Sequence, residues 1–115
     1  MTKQKTRIGY KIVSVWNGKY YSWMAYPGEY GCVKYIIGKT SKPRSGCGPL
    51  CVFSTLKKAK NLVKRPTNIK HIILKVQYVP SKENSVWTYT ETTLIDILMP
   101  GTILADSVTP IKVIE

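Results

Sequence analysis

Acidic residues are scarce in this sequence, and the scarcity is uneven. The 115 residues carry 6 Asp and Glu against 18 Lys and Arg, a formal net charge of +12. Residues 1–82 hold 17 of those cations and a single acid, Glu29, whereas residues 83–115 hold Lys112 and the other five acids. Histidine is reduced to His71. A Ser-His-Asp or Cys-His relay would have to use that one ring, and no nucleophile is placed beside it, so no catalytic residue is expected. His71 opens the apolar run His71-Ile72-Ile73-Leu74 and reads as a strand residue. Long hydrophobic runs are missing. None approaches the roughly 18–20 residues that span a bilayer, so no membrane partner is expected. The basic start, Met1 to Arg7, is not followed by the apolar stretch of a secretory signal. An intracellular location is the expectation.

Cysteine is limited to Cys32, Cys47 and Cys51, an odd number that leaves no complete disulfide framework. Cys47-Gly48-Pro49-Leu50-Cys51 has a spacing that zinc sites use, but a structural site wants four ligands, usually as two pairs. Only Cys32 and His71 could complete the set, and neither belongs to a second pair. No metal and no cofactor are expected; Cys32 and Cys51 read as small apolar strand residues. Repeats and low-complexity segments are absent too.

What is present is a length suited to one domain, which at this size can build a core without disulfide or metal staples. Residues 1–8 read as a basic arm and residues 9–115 as a single domain. Gly9–Trp16 and Lys19–Tyr26 are rich in β-formers and are separated by Asn17-Gly18. That pair predicts a hairpin with a type I′ turn, which needs positive φ at both central residues. Cys32–Ile37 reads as a third strand, Gly38–Pro49 as a long loop and Leu50–Phe53 as a short buried strand. Ser54 or Thr55 can cap a helix over 55–65. In it Leu56, Ala59, Leu62 and Val63 share a face, Lys57, Lys58, Lys60, Lys64 and Arg65 surround them, and Pro66 ends the run. Ile69–Val79 is the longest strand candidate and reads as central. Val86–Thr90 and Leu94–Leu98 are short candidates of uncertain type. Thr102–Ala105 and Ile111–Ile114 read as closing strands, with Pro110 implying an edge or a break between them. The fold class expected is α+β: a small, mostly antiparallel sheet of about six to seven strands with one main helix.

Charge and rings suggest the chemistry. Like charges at this density repel in a compact chain, and a polyanion would relieve that repulsion with release of counterions. The loop from Gly38 to Gly48 supplies Lys39, Lys42 and Arg44, the hydroxyls of Thr40 and Ser45, and glycines that let backbone N–H groups converge on an anion. It is not a P-loop. Val33 stands where the first glycine of that motif belongs, and Pro43 lies where its helix should run. Lys57 and Lys58 could extend the anion surface along the helix. Residues 10–35 hold eight of the chain's twelve aromatics. Tyr21 and Trp23, on one face of the second strand, are the candidates for base stacking.

Gly48-Pro49-Leu50-Cys51-Val52-Phe53-Ser54, Pro100-Gly101-Thr102-Ile103-Leu104-Ala105 and Tyr10-Lys11-Ile12-Val13 together resemble segments of small uncharacterised α+β proteins of viruses, phages and microbes. The resemblance implies a compact α+β domain and carries no catalytic residue over. Some of those proteins look like degenerate ADP-ribosyltransferases. That would make Glu83 or Glu91 a candidate carboxylate, although no convincing His-Tyr-Glu or Arg-Ser-Glu set stands in order. The leading expectation is a non-enzymatic binding protein for an anionic ligand, a nucleic acid or a nucleotide. The alternative is a protein that docks an acidic protein partner through its basic face.

Overall fold

The computed structural model describes residues 5–22, 33–43, 47–63, 70–83, 85–87, 92–94 and 101–114. The predicted hairpin is there. β1 (Arg7–Trp16) and β2 (Lys19–Ser22) pair antiparallel, from Trp16↔Lys19 to Val13↔Ser22. Asn17 and Gly18 turn between them with φ of 50° and 75°, as a type I′ turn requires. β1 starts at Arg7, inside the stretch read as an arm, because Arg7 and Ile8 already face Tyr78 and Gln77. β3 is short (Lys34–Tyr35) and adds to β2.

The remaining strands turn this sheet into a closed, barrel-like one. β4 (Leu50–Phe53) meets β1 at Tyr10↔Phe53 and runs beside β8 (Thr102–Val113) from Leu50↔Ala105 to Phe53↔Thr102. β5 (His71–Pro80) pairs with β1 along one edge and with β8 along the other, so the expected central position of this segment is correct. β1 uses both of its edges: Tyr10 faces Lys75 of β5 and Phe53 of β4, and Val13 faces Ile72 of β5 and Ser22 of β2. The circuit β1–β4–β8–β5 therefore returns to β1. A further antiparallel pair, β6 (Ser85–Trp87) with β7 (Thr92–Leu94), stands as a separate two-stranded sheet.

Alternation along the strands sorts side chains into two layers. Val13 of β1, Leu50 and Val52 of β4, Ile72, Leu74, Val76 and Tyr78 of β5, and Ala105 and Val108 of β8 form the inner cluster with Val33 and Tyr35. On the outside, Ile12, Ile73 and Phe53 form a second cluster with Ala59 of α1 (Leu56–Val63), flanked by Tyr10, Leu56 and Ile114. Thr55 caps α1, its Oγ1 accepting the Lys58 N–H at 3.3 Å. One helix of eight residues is all this outer stripe needs, because the closed sheet covers its own inner face. The fold among the described residues is thus mainly β rather than an even α+β.

Pro110 does not break the last strand as expected; β8 runs through it. The reason lies in edge geometry. Val108 exchanges both backbone hydrogen bonds with Ser41, at 2.7 and 2.9 Å, and Pro110, two residues on, points to the same edge. There its carbonyl accepts the Gly38 N–H at 2.8 Å, so its missing donor falls on an irregular segment and not on the β5 ladder. A register shift between Lys75↔Lys112 and Val76↔Pro110 leaves Ile111 as the extra residue of a bulge.

Gly9 marks the tightest packing in β1. A Cβ there would stand 2.8 Å from Tyr78 Cε1 and 3.0 Å from the Phe53 carbonyl oxygen. Gly9→Ala is expected to cost about 1–3 kcal/mol in urea unfolding, because the ring and the neighbouring strand must both give way. Gly18→Ala, at a turn with nothing within 4 Å, is expected to cost only the backbone strain of a left-handed residue, about 1–2 kcal/mol. A Gly9→Ala protein as stable as the parent would show that the two strands are not packed this closely.

Candidate anion-binding surface and a buried lysine

The basic loop is built onto the barrel wall. After β3 the chain turns at Ile36–Lys39, where Lys39 N–H donates to the Ile36 carbonyl at 3.0 Å and Gly38 adopts a φ of 84°. Ser41 then bridges to Val108, and its hydroxyl donates to the Lys34 carbonyl at 3.1 Å. Lys34, Lys39 and Lys42 are exposed on this wall. Thr40 is exposed as well, but its Oγ1 lies 2.7 Å from Thr109 Oγ1, so part of its bonding capacity already ties the loop to β8. Tyr21 is half-buried in β2, with Ser14 on one side and Lys34 on the other in register. The loop and the hairpin are therefore brought together through β3.

Lys57 and Lys58 are exposed on α1, which packs on β1, β4 and β5. The loop is joined instead to β8 at Ser41↔Val108, so the helix and the loop attach to different strands. The stem of Lys58 lies where a Cβ on Gly101 would be, and Gly101 has a φ of 85°. Lys58 thus covers the turn before β8 as well as carrying charge. Arg44, Ser45 and Trp23 lie outside the described residues, as does Glu91. Glu83 is exposed in the loop after β5, its N–H donating to Ser81 Oγ at 3.1 Å. The described carboxylates, Glu83 and Asp106, are both exposed. Among the described residues no group of three or more His, Cys, Asp or Glu could hold a metal ion. Nor is any described helix long and apolar enough to cross a membrane.

The residue that sequence reasoning missed is Lys11. It is 5% exposed and shares the inward parity of Gly9 and Val13. Its Nζ donates to the Cys51 carbonyl at 2.6 Å and stands 5.0 Å from the centre of the Tyr35 ring. The carbonyl and the ring face partly replace the water that burial removes. The bond also joins β1 to β4 beside their single paired position, Tyr10↔Phe53. The signal was in the sequence: a lysine in step with Val13 and Val15, where a strand with one buried face carries apolar residues. Nearby, the Tyr35 hydroxyl is buried with no hydrogen-bond partner among the described residues.

Burial shifts two titrating groups. The Cys51 thiol is pushed above its ordinary 9.0, chiefly by desolvation, with the Lys11 charge opposing. Cys51 is accordingly a poor nucleophile near neutrality, and it carries no disulfide. His71 stands first in β5 and opposite Ser14, and burial lowers its pKa below the ordinary 6.5. Its neutral form is favoured in the fold, so it contributes stability that is present above pH 6.5 and is lost as the pH falls below that value.

No protein-family model, curated protein or solved structure matches this chain. Its chemistry therefore rests on its own residues.

Two substitutions separate the contributions of Lys11. Lys11→Ala removes both the donor to Cys51 and the packed stem, and is expected to cost about 2–4 kcal/mol in urea unfolding. Lys11→Met keeps the stem and removes the buried charge, so a smaller loss is expected. Equal losses for the two would assign the whole effect to the ammonium group.

Proposed function

We propose that this chain is a non-enzymatic binding protein for a polyanion, with nucleic acid as its partner. The observation that carries the reading is the excess of exposed cations over carboxylates among the described residues. Lys19, Lys34, Lys39 and Lys42 are exposed on the hairpin and the wall beside it, Lys57 and Lys58 on the helix, and Lys112 on β8. The two described carboxylates cannot offset them. Cations spread over several walls suit an extended backbone of phosphates better than one nucleotide, whose phosphates need donors converging on a point. The commitments of Thr40 to Thr109 and of Ser41 to Lys34 also favour a tracking surface over a closed cradle. In this reading Lys39 and Lys42 meet phosphates and Tyr21, beside Lys34, offers its ring for a base to stack on. Arg44, Ser45 and Trp23 remain candidates for the same surface. An intracellular setting accords with such a partner and with the free thiols of Cys47 and Cys51.

The test is fluorescence anisotropy with labelled single-stranded and duplex oligonucleotides at two salt concentrations. Affinity is expected to fall steeply with salt, and Lys39→Gln with Lys42→Gln is expected to lower the log–log salt slope by about 2, roughly one unit per lost phosphate contact. Absence of binding even at low salt would overturn the nucleic-acid reading.

A further inference from the structure

The exposed large aliphatic side chains are not scattered. Apart from Ile8, those among the described residues are Ile36, Ile37, Ile111 and Val113, each 41–44% exposed. Single exposed aliphatics are ordinary on a protein surface, whereas a group of them marks an interaction site. The backbone brings these four together. The Gly38–Pro110 hydrogen bond sets Ile36 and Ile37 beside Ile111, and Val113 follows two residues along β8. Ile111 is the extra residue of the bulge at Pro110, a device that re-aims a side chain, and Val113 stands in register with Leu74 at the end of β8.

The chemistry around the patch selects its occupant. Lys39 and Lys112 flank it, both exposed, and neither 33–43 nor 107–114 contains a carboxylate. A second copy of this chain would set lysine against lysine across a two-fold axis. Branched aliphatic side chains give no stacking platform, so they add nothing to nucleic-acid binding. They do bury well against apolar side chains of a protein. β8 adds a backbone feature: beyond Pro110 its outer edge has no strand partner among the described residues. Such an edge can accept an extended peptide.

We propose that the end of the barrel formed by Ile36, Ile37, Ile111 and Val113 docks an extended, acidic segment of a partner protein. Its apolar side chains cover the patch and its carboxylates meet Lys39 and Lys112. This site shares Lys39 and Lys112 with the nucleic-acid reading, but its aliphatic side chains do not, and it does not depend on that reading.

A phage-displayed library of random short peptides, panned against the immobilised full chain, tests the proposal. Selected peptides are then measured as synthetic probes by anisotropy. The expected sequences combine Asp or Glu with Ile, Leu, Val or Phe. Their affinity is expected to fall about ten-fold or more with Ile37→Ser plus Ile111→Ser, a loss of about 1.4 kcal/mol. It should also fall with Lys39→Glu plus Lys112→Glu. Oligonucleotide affinity is expected to be unchanged by the two isoleucine changes, which keeps failure of this proposal distinct from failure of the nucleic-acid reading. Melting curves check that the variants fold, and Ile37→Glu alone replaces the double variant if that one melts early. The proposal is overturned if no acidic peptides are enriched. It is also overturned if selected peptides bind the isoleucine variant as tightly as the parent. The same holds if only phosphatidylserine-containing vesicles bind in a manner that depends on Ile37 and Ile111.

Discussion

The structure depends on the use of both edges of β1. One edge carries β5 from Arg7 to Ser14; the other carries β4 at Tyr10 and β2 from Val13 to Trp16. Through β4, β8 and β5 the sheet returns to β1, and an inner face sealed in this way needs no covering layer. The narrow point is the β1–β4 junction, with one paired position. There the Lys11 ammonium, bonded to the Cys51 carbonyl, holds the two strands where the ladder is thinnest. Gly9 serves the same junction by leaving room for the Tyr78 ring and the Phe53 carbonyl.

Closure also decides what the charge can do. With apolar side chains filling the inside, every cation except a well-placed one must face out. Lys11 is the buried exception among the described residues, and the rest crowd a surface with few carboxylates. Their mutual repulsion works against the compact state. The continuous hydrogen-bonded circuit and the two apolar clusters offset it. In the proposed reading, binding of an anionic partner would remove a cost that the fold otherwise carries alone.

Much of this was legible in the sequence, and for local reasons. Asn17-Gly18 specified a turn that few other residue pairs allow. The spacing of Leu56 and Ala59, with Thr55 before them, specified the helix. The apolar run from His71 specified a central strand. What was not legible depends on pairing between distant segments. Pro110 looked like an interruption because a proline lacks a donor, and only the position of Ser41 and Gly38 beside β8 shows that no donor was needed there. Lys11 looked like another solvated cation until the inward parity of β1 was combined with the approach of β4. The site shows the same divide. The loop cations were candidates from composition alone, whereas the pairing of Tyr21 with Lys34, which ties the loop to the hairpin through β3, depends on β2–β3 register, and the aliphatic patch on a bulge that no local pattern announces.

The central claim is that this fold carries an excess of outward positive charge that a polyanion relieves. Thermal unfolding of the full chain at low salt, with and without a short single-stranded oligonucleotide in excess, tests it most directly. Ligand binding to the folded state raises the melting temperature by mass action, and relief of repulsion enters through the affinity. A clear rise that disappears at high salt is the predicted result. A melting temperature that the oligonucleotide leaves unchanged at low salt would contradict the claim.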